Sequence, residues 1–109
     1  MSEPFNMIVL ATAKEGCEEE LGRRLSALVA PTRREAGCIT YALHRSIDQP
    51  AVWMLHESWR SQADLDAHFQ MPYLVEFFAI KDSLLAQDMD IRKYTAAPSG
   101  MDSRVSEAA

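Results

Sequence analysis

Two stretches in the middle of the chain, CITYALHRS (Cys38 to Ser46) and AVWMLHESW (Ala51 to Trp59), alternate with the two-residue period of a β-strand. Only Ile47-Asp48-Gln49-Pro50 separates them. Four turn-forming residues leave no room for a crossover, so the two strands must run antiparallel as a hairpin. The alternation puts Ile39, Tyr41, Leu43 and Arg45 on one face of the first strand and Cys38, Thr40, Ala42 and His44 on the other. In the second strand Trp53, Leu55, Glu57 and Trp59 oppose Val52, Met54, His56 and Ser58. Any fold for this chain has to be built around that pair.

The flanks extend it in both directions. FNMIVLATA (Phe5 to Ala13), bounded by Pro4 and by Lys14-Glu15-Gly16, predicts a first strand. From Cys17 the spacing becomes helical, with Leu21, Leu25 and Leu28 on one side and Glu18, Glu19 and Glu20 in the first turn, where they oppose the positive helix end. Pro31 cannot bond the carbonyl of Ala27, so the helix should kink or break there, and Gly37 is expected to close it as a C′ residue. After the hairpin, Ser61 with Asp64 three residues on resembles a capping box and predicts a helix with Leu65, His68 and Phe69 inward. Pro72 stops that helix and suits the first position of a second segment carrying Leu74, Phe77, Phe78, Leu84 and Leu85. MDIRKYT (Met89 to Thr95) alternates again as a last strand. Residues 1–95 therefore read as one domain, and 96–109, small and polar, as a mobile C-terminal tail.

Strand, helix, strand, strand, helix pair, strand is the order of an α+β, ferredoxin-like split βαβ antiparallel sheet with helices on one face. Such a sheet should alternate apolar against polar, yet strand one offers Met7 and Val9 on one side and Ile8 and Leu10 on the other. Helices cover one face only, so a second subunit's sheet is the expected cover for the other, making a homodimer.

Composition removes several classes of function. With 109 residues, 48% of them apolar, there is material for one core and not two. A net charge of -5, without a basic cluster beyond Arg33-Arg34, argues against nucleic acid and against an anionic membrane surface. No apolar run reaches the roughly 18 residues of a membrane span, and Cys17 and Cys38 form neither a disulfide framework nor a Cys-x-x-Cys pair, so a cytoplasmic setting is expected. Gly-x-Gly-x-x-Gly, P-loop and Gly-x-Ser-x-Gly segments are all missing, and the three histidines are too scattered for a metal site.

PTRREAGCITY (Pro31 to Tyr41), HESW (His56 to Trp59) and AHFQMPYL (Ala67 to Leu74), taken in register, resemble the antibiotic biosynthesis monooxygenase (ABM) domain family, most closely its small quinol monooxygenase-type members. The resemblance implies a homodimeric α/β barrel of ferredoxin-like subunits. It also implies oxygenation of a small aromatic substrate by dioxygen with no flavin, haem or metal cofactor in many members. In the haem-degrading branch, an asparagine, a tryptophan and a histidine hold the porphyrin; Val9, His68 and Phe78 stand at those places here, so haem degradation is not expected. Quinol-oxidising and isomerase-like members often read His-x-x-x-Pro-His, where this chain ends on Tyr73.

His68 is therefore the candidate general base, its imidazole having a reference pKa of about 6.5, with Tyr73 as a hydroxyl donor to a substrate oxyanion. Its alternative is a satisfied core histidine. Trp59, Glu57, Phe77 and Phe78 are candidate substrate-binding residues, the aromatics as walls and the Trp59 indole N–H as a second donor. For Glu57 the simplest reading is a structural anchor, paired with a backbone N–H or with Arg45 or Arg92. The expected function is a cofactor-independent monooxygenase of a small hydroquinone or phenol. An isomerase-type proton shuttle in the same pocket and a non-catalytic dimer that binds small aromatics are its alternatives.

Overall fold

The hairpin forms the centre of the molecule. In the computed structural model, which describes residues 3–97, Cys38–Arg45 (β2) and Val52–Trp59 (β3) pair antiparallel. β3 then pairs with Phe5–Thr12 (β1), and β1 with Asp90–Tyr94 (β4), giving an antiparallel sheet of order β2-β3-β1-β4. Helices Glu18–Ala27 (α1) and Val29–Arg33 (α2) join β1 to β2; Gln62–His68 (α3), Pro72–Ile80 (α4) and a 3-10 turn at Lys81–Ser83 join β3 to β4. This is the ferredoxin-like arrangement the periodicities call for. The tail expected from residue 96 lies, from residue 98 onward, outside the described residues.

The core lies between one sheet face and the helices. Met7, Val9, Tyr41, Leu55, Glu57 and Trp59 are buried against Leu21, Leu25, Leu28, Leu65, Leu74 and Phe77. Each fully buried large apolar side chain contributes roughly 1.5–3 kcal/mol, so this layer supplies most of the drive to fold. Gly22 lets α1 settle onto the sheet, since a Cβ there would overlap the Trp53 ring. That indole donates from Nε1 to the Glu18 carbonyl at 3.0 Å and carries the Arg45 guanidinium on its face.

Four details depart from the sequence reading. The ladder shifts between Cys38 and Thr40, a β-bulge, so Cys38 pairs with Trp59 while Ile39 turns outward, 60% exposed, and does not share the inner face with Tyr41. Gly37 does not cap a helix. The helical stretch breaks at Leu28, as Pro31 demands, resumes as α2 and stops at Arg33; Gly37 is needed because the Asp64 side chain occupies the space of its Cβ. Leu84 and Leu85 lie beyond α4 and its 3-10 turn, where Leu85 bridges Ala13 and so lengthens the end of β1. The last strand is shorter than expected at both ends, Asp90–Tyr94.

The second sheet face carries Ile8, Leu10, Met54 and Ala42 with His56 among them, Val52 at one end, and Asn6, Thr40, His44, Ser58, Asp90, Arg92 and Tyr94 around them. No helix among the described residues packs on it. No helix there is long and apolar enough to cross a membrane.

Candidate functional site

The helix pair after β3 is organised by two residues. Ser61 is the N-cap of α3, its Oγ accepting from the Asp64 N–H at 3.2 Å. Pro72 holds Met71 in an extended conformation (ψ 140°), which ends α3 at His68 and starts α4 at a sharp corner. The corner brings His68 and Tyr73 to the same carboxylate. His68 Nδ1 lies 2.8 Å from Glu35 Oε2, and the Tyr73 hydroxyl donates to that same oxygen, with the Pro31 carbonyl 3.3 Å away. Glu35 Oε2 accepts from the Tyr73 hydroxyl, and the same acceptor oxygen facing the imidazole assigns the His68 proton to Nδ1.

Glu35 was not among the candidate site residues. It lies in the turn between α2 and β2, where no periodicity marks a side chain as inward. The available signal was indirect: a histidine on an apolar helix face needs a buried partner, and the turn after a proline-broken helix is the nearby segment able to supply one.

His68 is 1% exposed and packed among rings, with Trp59, Tyr41 and Phe69 centroids at 4.7, 5.7 and 5.7 Å. Burial lowers its pKa, outweighing the opposing pull of Glu35, so it is neutral at pH 7. Burial, reinforced by Glu35, pushes the Tyr73 phenol up to about 12.

Beside this cluster lies a cavity of about 30 Å³ between sheet and helices. Its floor is Met7, Val9, Leu25, Leu28, Leu55, Leu74 and Phe77, all buried; Phe69, Phe78 and Met89, half-buried, and the more exposed Ile91 form its mouth. Among the described residues, the only polar side chains lining it are Tyr41 and Glu57. Glu57 is 3% exposed and pairs with neither Arg45 nor Arg92 as the sequence suggested; those bind Glu19 and Asp90 at the surface. Its partner is the Trp59 indole, whose Nε1 donates to Oε1 at 2.8 Å. Burial raises the Glu57 pKa to about 7, the Trp59 hydrogen bond opposes this, and the charge of Glu35 adds to it. Burial also drives the Tyr41 phenol well above its ordinary value and the Cys38 thiol to about 11, so neither is an anion at neutral pH.

The six candidates thus fall into two groups. Glu57, Phe77 and Phe78 line the cavity. His68 and Tyr73 stand behind it, joined through Glu35, and Trp59, fully buried, lies between the groups with its ring on His68 and its N–H on Glu57.

Residues 4–80 match the profile of the antibiotic biosynthesis monooxygenase family. The chain belongs to that family. Among its relatives, protein Rv0793 of Mycobacterium tuberculosis is 30% identical over 91 residues, covering 84% of this chain and 89% of that one. The uncharacterized protein sll1783 of Synechocystis is 35% identical over 80 residues, 73% of this chain, which spans about half (54%) of that relative's length. The crystal structure of PA3566 from Pseudomonas aeruginosa superposes with a TM-score of 0.83 at 38% identity, covering 89% of this chain and 98% of that one. The ABM fold is thus shared along nearly the whole described length.

Proposed function

We propose that this ABM-family chain is a cofactor-independent monooxygenase that oxidises a small phenol or hydroquinone with dioxygen, and that Glu57 is its general base. One observation carries the reading: an apolar, aromatic-walled cavity whose single carboxyl is held by burial at a pKa of about 7. Such a group accepts a proton at neutral pH and gives it back with little bias, which suits a site that must do both. Proton acceptance falls to Glu57 and not to His68, because Glu57 lines the cavity while His68 is walled off by Trp59 and Tyr41.

In this mechanism Glu57 takes the phenolic proton and the Tyr41 hydroxyl, neutral throughout, donates to the phenolate oxygen. The phenolate passes one electron to dioxygen, and the aryloxyl and superoxide radicals recombine at a hydrogen-bearing ring carbon ortho or para to the oxygen. Glu57 returns its proton to the resulting peroxide. Loss of that carbon's hydrogen with cleavage of the O–O bond releases water and leaves a second carbonyl, so one oxygen atom enters the product and one leaves as water. Phe77 and Phe78 form a wall that keeps bulk water from the radical pair. Two copies of the chain pair through the second sheet face, covering Ile8, Leu10, Val52 and Met54.

Oxygen uptake over a panel of small hydroquinones and phenols, with labelled dioxygen, tests the reading. One labelled oxygen per product and loss of uptake in Glu57→Gln are expected. Full uptake in that variant, or a product that gains no oxygen and is only isomerised, would overturn it.

A further inference from the structure

Glu35 touches neither the cavity nor Glu57, yet its carboxyl group stands behind them. Its carboxylate is tied down twice on one oxygen, by Tyr73 and by His68 Nδ1 at 2.8 Å, and the Glu35 and His68 side chains are 7% and 2% exposed. His68 lays its ring against the Trp59 indole, centroids 4.7 Å apart and planes 41° apart. Trp59 in turn aims its N–H at Glu57 Oε1 over 2.8 Å. The succession is contiguous and buried, and each contact restrains the next group.

We propose that Glu35 is a positioning residue, which by locking the His68 ring fixes the Trp59 indole and thereby the hydrogen bond that orients Glu57 in the cavity. The imidazole has two freedoms, rotation about its side-chain bonds and exchange of the proton between its nitrogens, and the bond to Glu35 removes both. With the ring fixed, the indole has one seat. Tyr73 has a counterpart role: it occupies the same oxygen of Glu35, so the carboxylate cannot turn away from His68. This rests on the reading of Glu57 as the group that meets the substrate. It assigns His68 and Tyr73 to the support of that group and removes them from contact with the reacting atoms.

The test separates acceptor geometry from charge. In the full chain, the two indole N–H resonances and the side-chain carboxyl of a carbon-labelled Glu57 are followed by NMR through a pH titration. Three variants are compared with the wild type. Glu35→Gln keeps an oxygen that accepts from His68 and loses the charge; Glu35→Asp keeps the charge but is one methylene short; Glu35→Ala keeps neither. The Trp59 N–H resonance should stay in place in Glu35→Gln and move or broaden in the Asp and Ala variants. The Glu57 midpoint should fall in Glu35→Gln, where the neighbouring negative charge is gone, and lie higher in Ala than in Gln, because the indole bond that favours the ionised form is weakened. Turnover of the Ala or Asp variant should drop about ten- to a hundredfold in kcat with little change in KM. An unmoved Trp59 resonance in whichever of the Asp and Ala variants folds, or an equal displacement in Gln, overturns the proposal. The resonances are read without turnover, so an intact coupling in a protein that consumes no oxygen sinks the monooxygenase reading and leaves this one standing.

Discussion

Replacing Glu57 by Gln should make the protein more stable, and only on the alkaline side. In the folded chain the carboxyl titrates at about 7 against an ordinary value of 4.5. Between those values the folded state holds a proton that the unfolded state has released, so this group's contribution to stability is complete below about 4.5 and is lost as pH rises through 7. At about 1.4 kcal/mol per pH unit, the gap amounts to about 3 kcal/mol. Glutamine keeps the shape and can still accept from the Trp59 indole, but does not titrate. Urea unfolding of both proteins at one protein concentration, from pH 4.5 to 8.5, gives a difference curve from which other groups cancel. His68 is among them: its lowered pKa makes both proteins lose stability as pH falls below about 6.5, in equal measure. The variant's relative gain should grow by about 3 kcal/mol across the range, with its steepest part between pH 5 and 7. A difference curve flat to within about 0.5 kcal/mol would mean that Glu57 is as well solvated as a surface carboxylate, and the argument from burial would fail with it.

Other outcomes follow from the same geometry. The rate of oxygen uptake should rise with pH along an acid limb of apparent pKa about 7, and His68→Gln should lower kcat by about tenfold yet leave that limb in place; loss of the limb in this variant would return the role of base to His68. Gly22→Ala, favourable by about 1 kcal/mol in an exposed helix, should here destabilise by about 1–3 kcal/mol because the new methyl meets the Trp53 ring, and a higher melting temperature would contradict the packing of α1. Leu10→Asp, on the face that no described helix covers, should leave the chain folded and, for the proposed dimer, halve the mass seen by sedimentation; an unchanged mass would place any self-association elsewhere.

What could be read from the residues was whatever depends on period. The hairpin, the outer strands, the Pro31 break, the Ser61 cap and the start of α4 at Pro72 all follow from rules that act within one turn or one pleat. Features set by contact across the fold were not legible. The bulge at Ile39 reverses the side on which Cys38 lies, and strict alternation has no means of announcing an extra residue. Gly37 carries the mark of a helix cap, but its reason is the Asp64 side chain arriving from 27 residues later, a contact the sequence does not encode locally. The same holds in the site. Glu57 was visible as a carboxyl on an apolar face, but its partner was sought among backbone N–H groups and arginines, whereas the donor is the indole two residues along the same strand face. Glu35 was invisible, since a turn residue has no face until the fold gives it one.

The size of the cavity has a kinetic consequence. About 30 Å³ holds one or two water-sized molecules and not a six-membered ring, so dioxygen fits the resting shape and an aromatic substrate does not. An aromatic must therefore meet a widened form, with Phe78, Met89 and Ile91 displaced, and its apparent affinity is the intrinsic one multiplied by the small fraction of molecules in that form. Selectivity then operates twice, once at the cost of opening and once at the fit within. Substitutions that trim the rim, such as Met89→Ala, would speed the entry of many compounds alike while eroding discrimination among them.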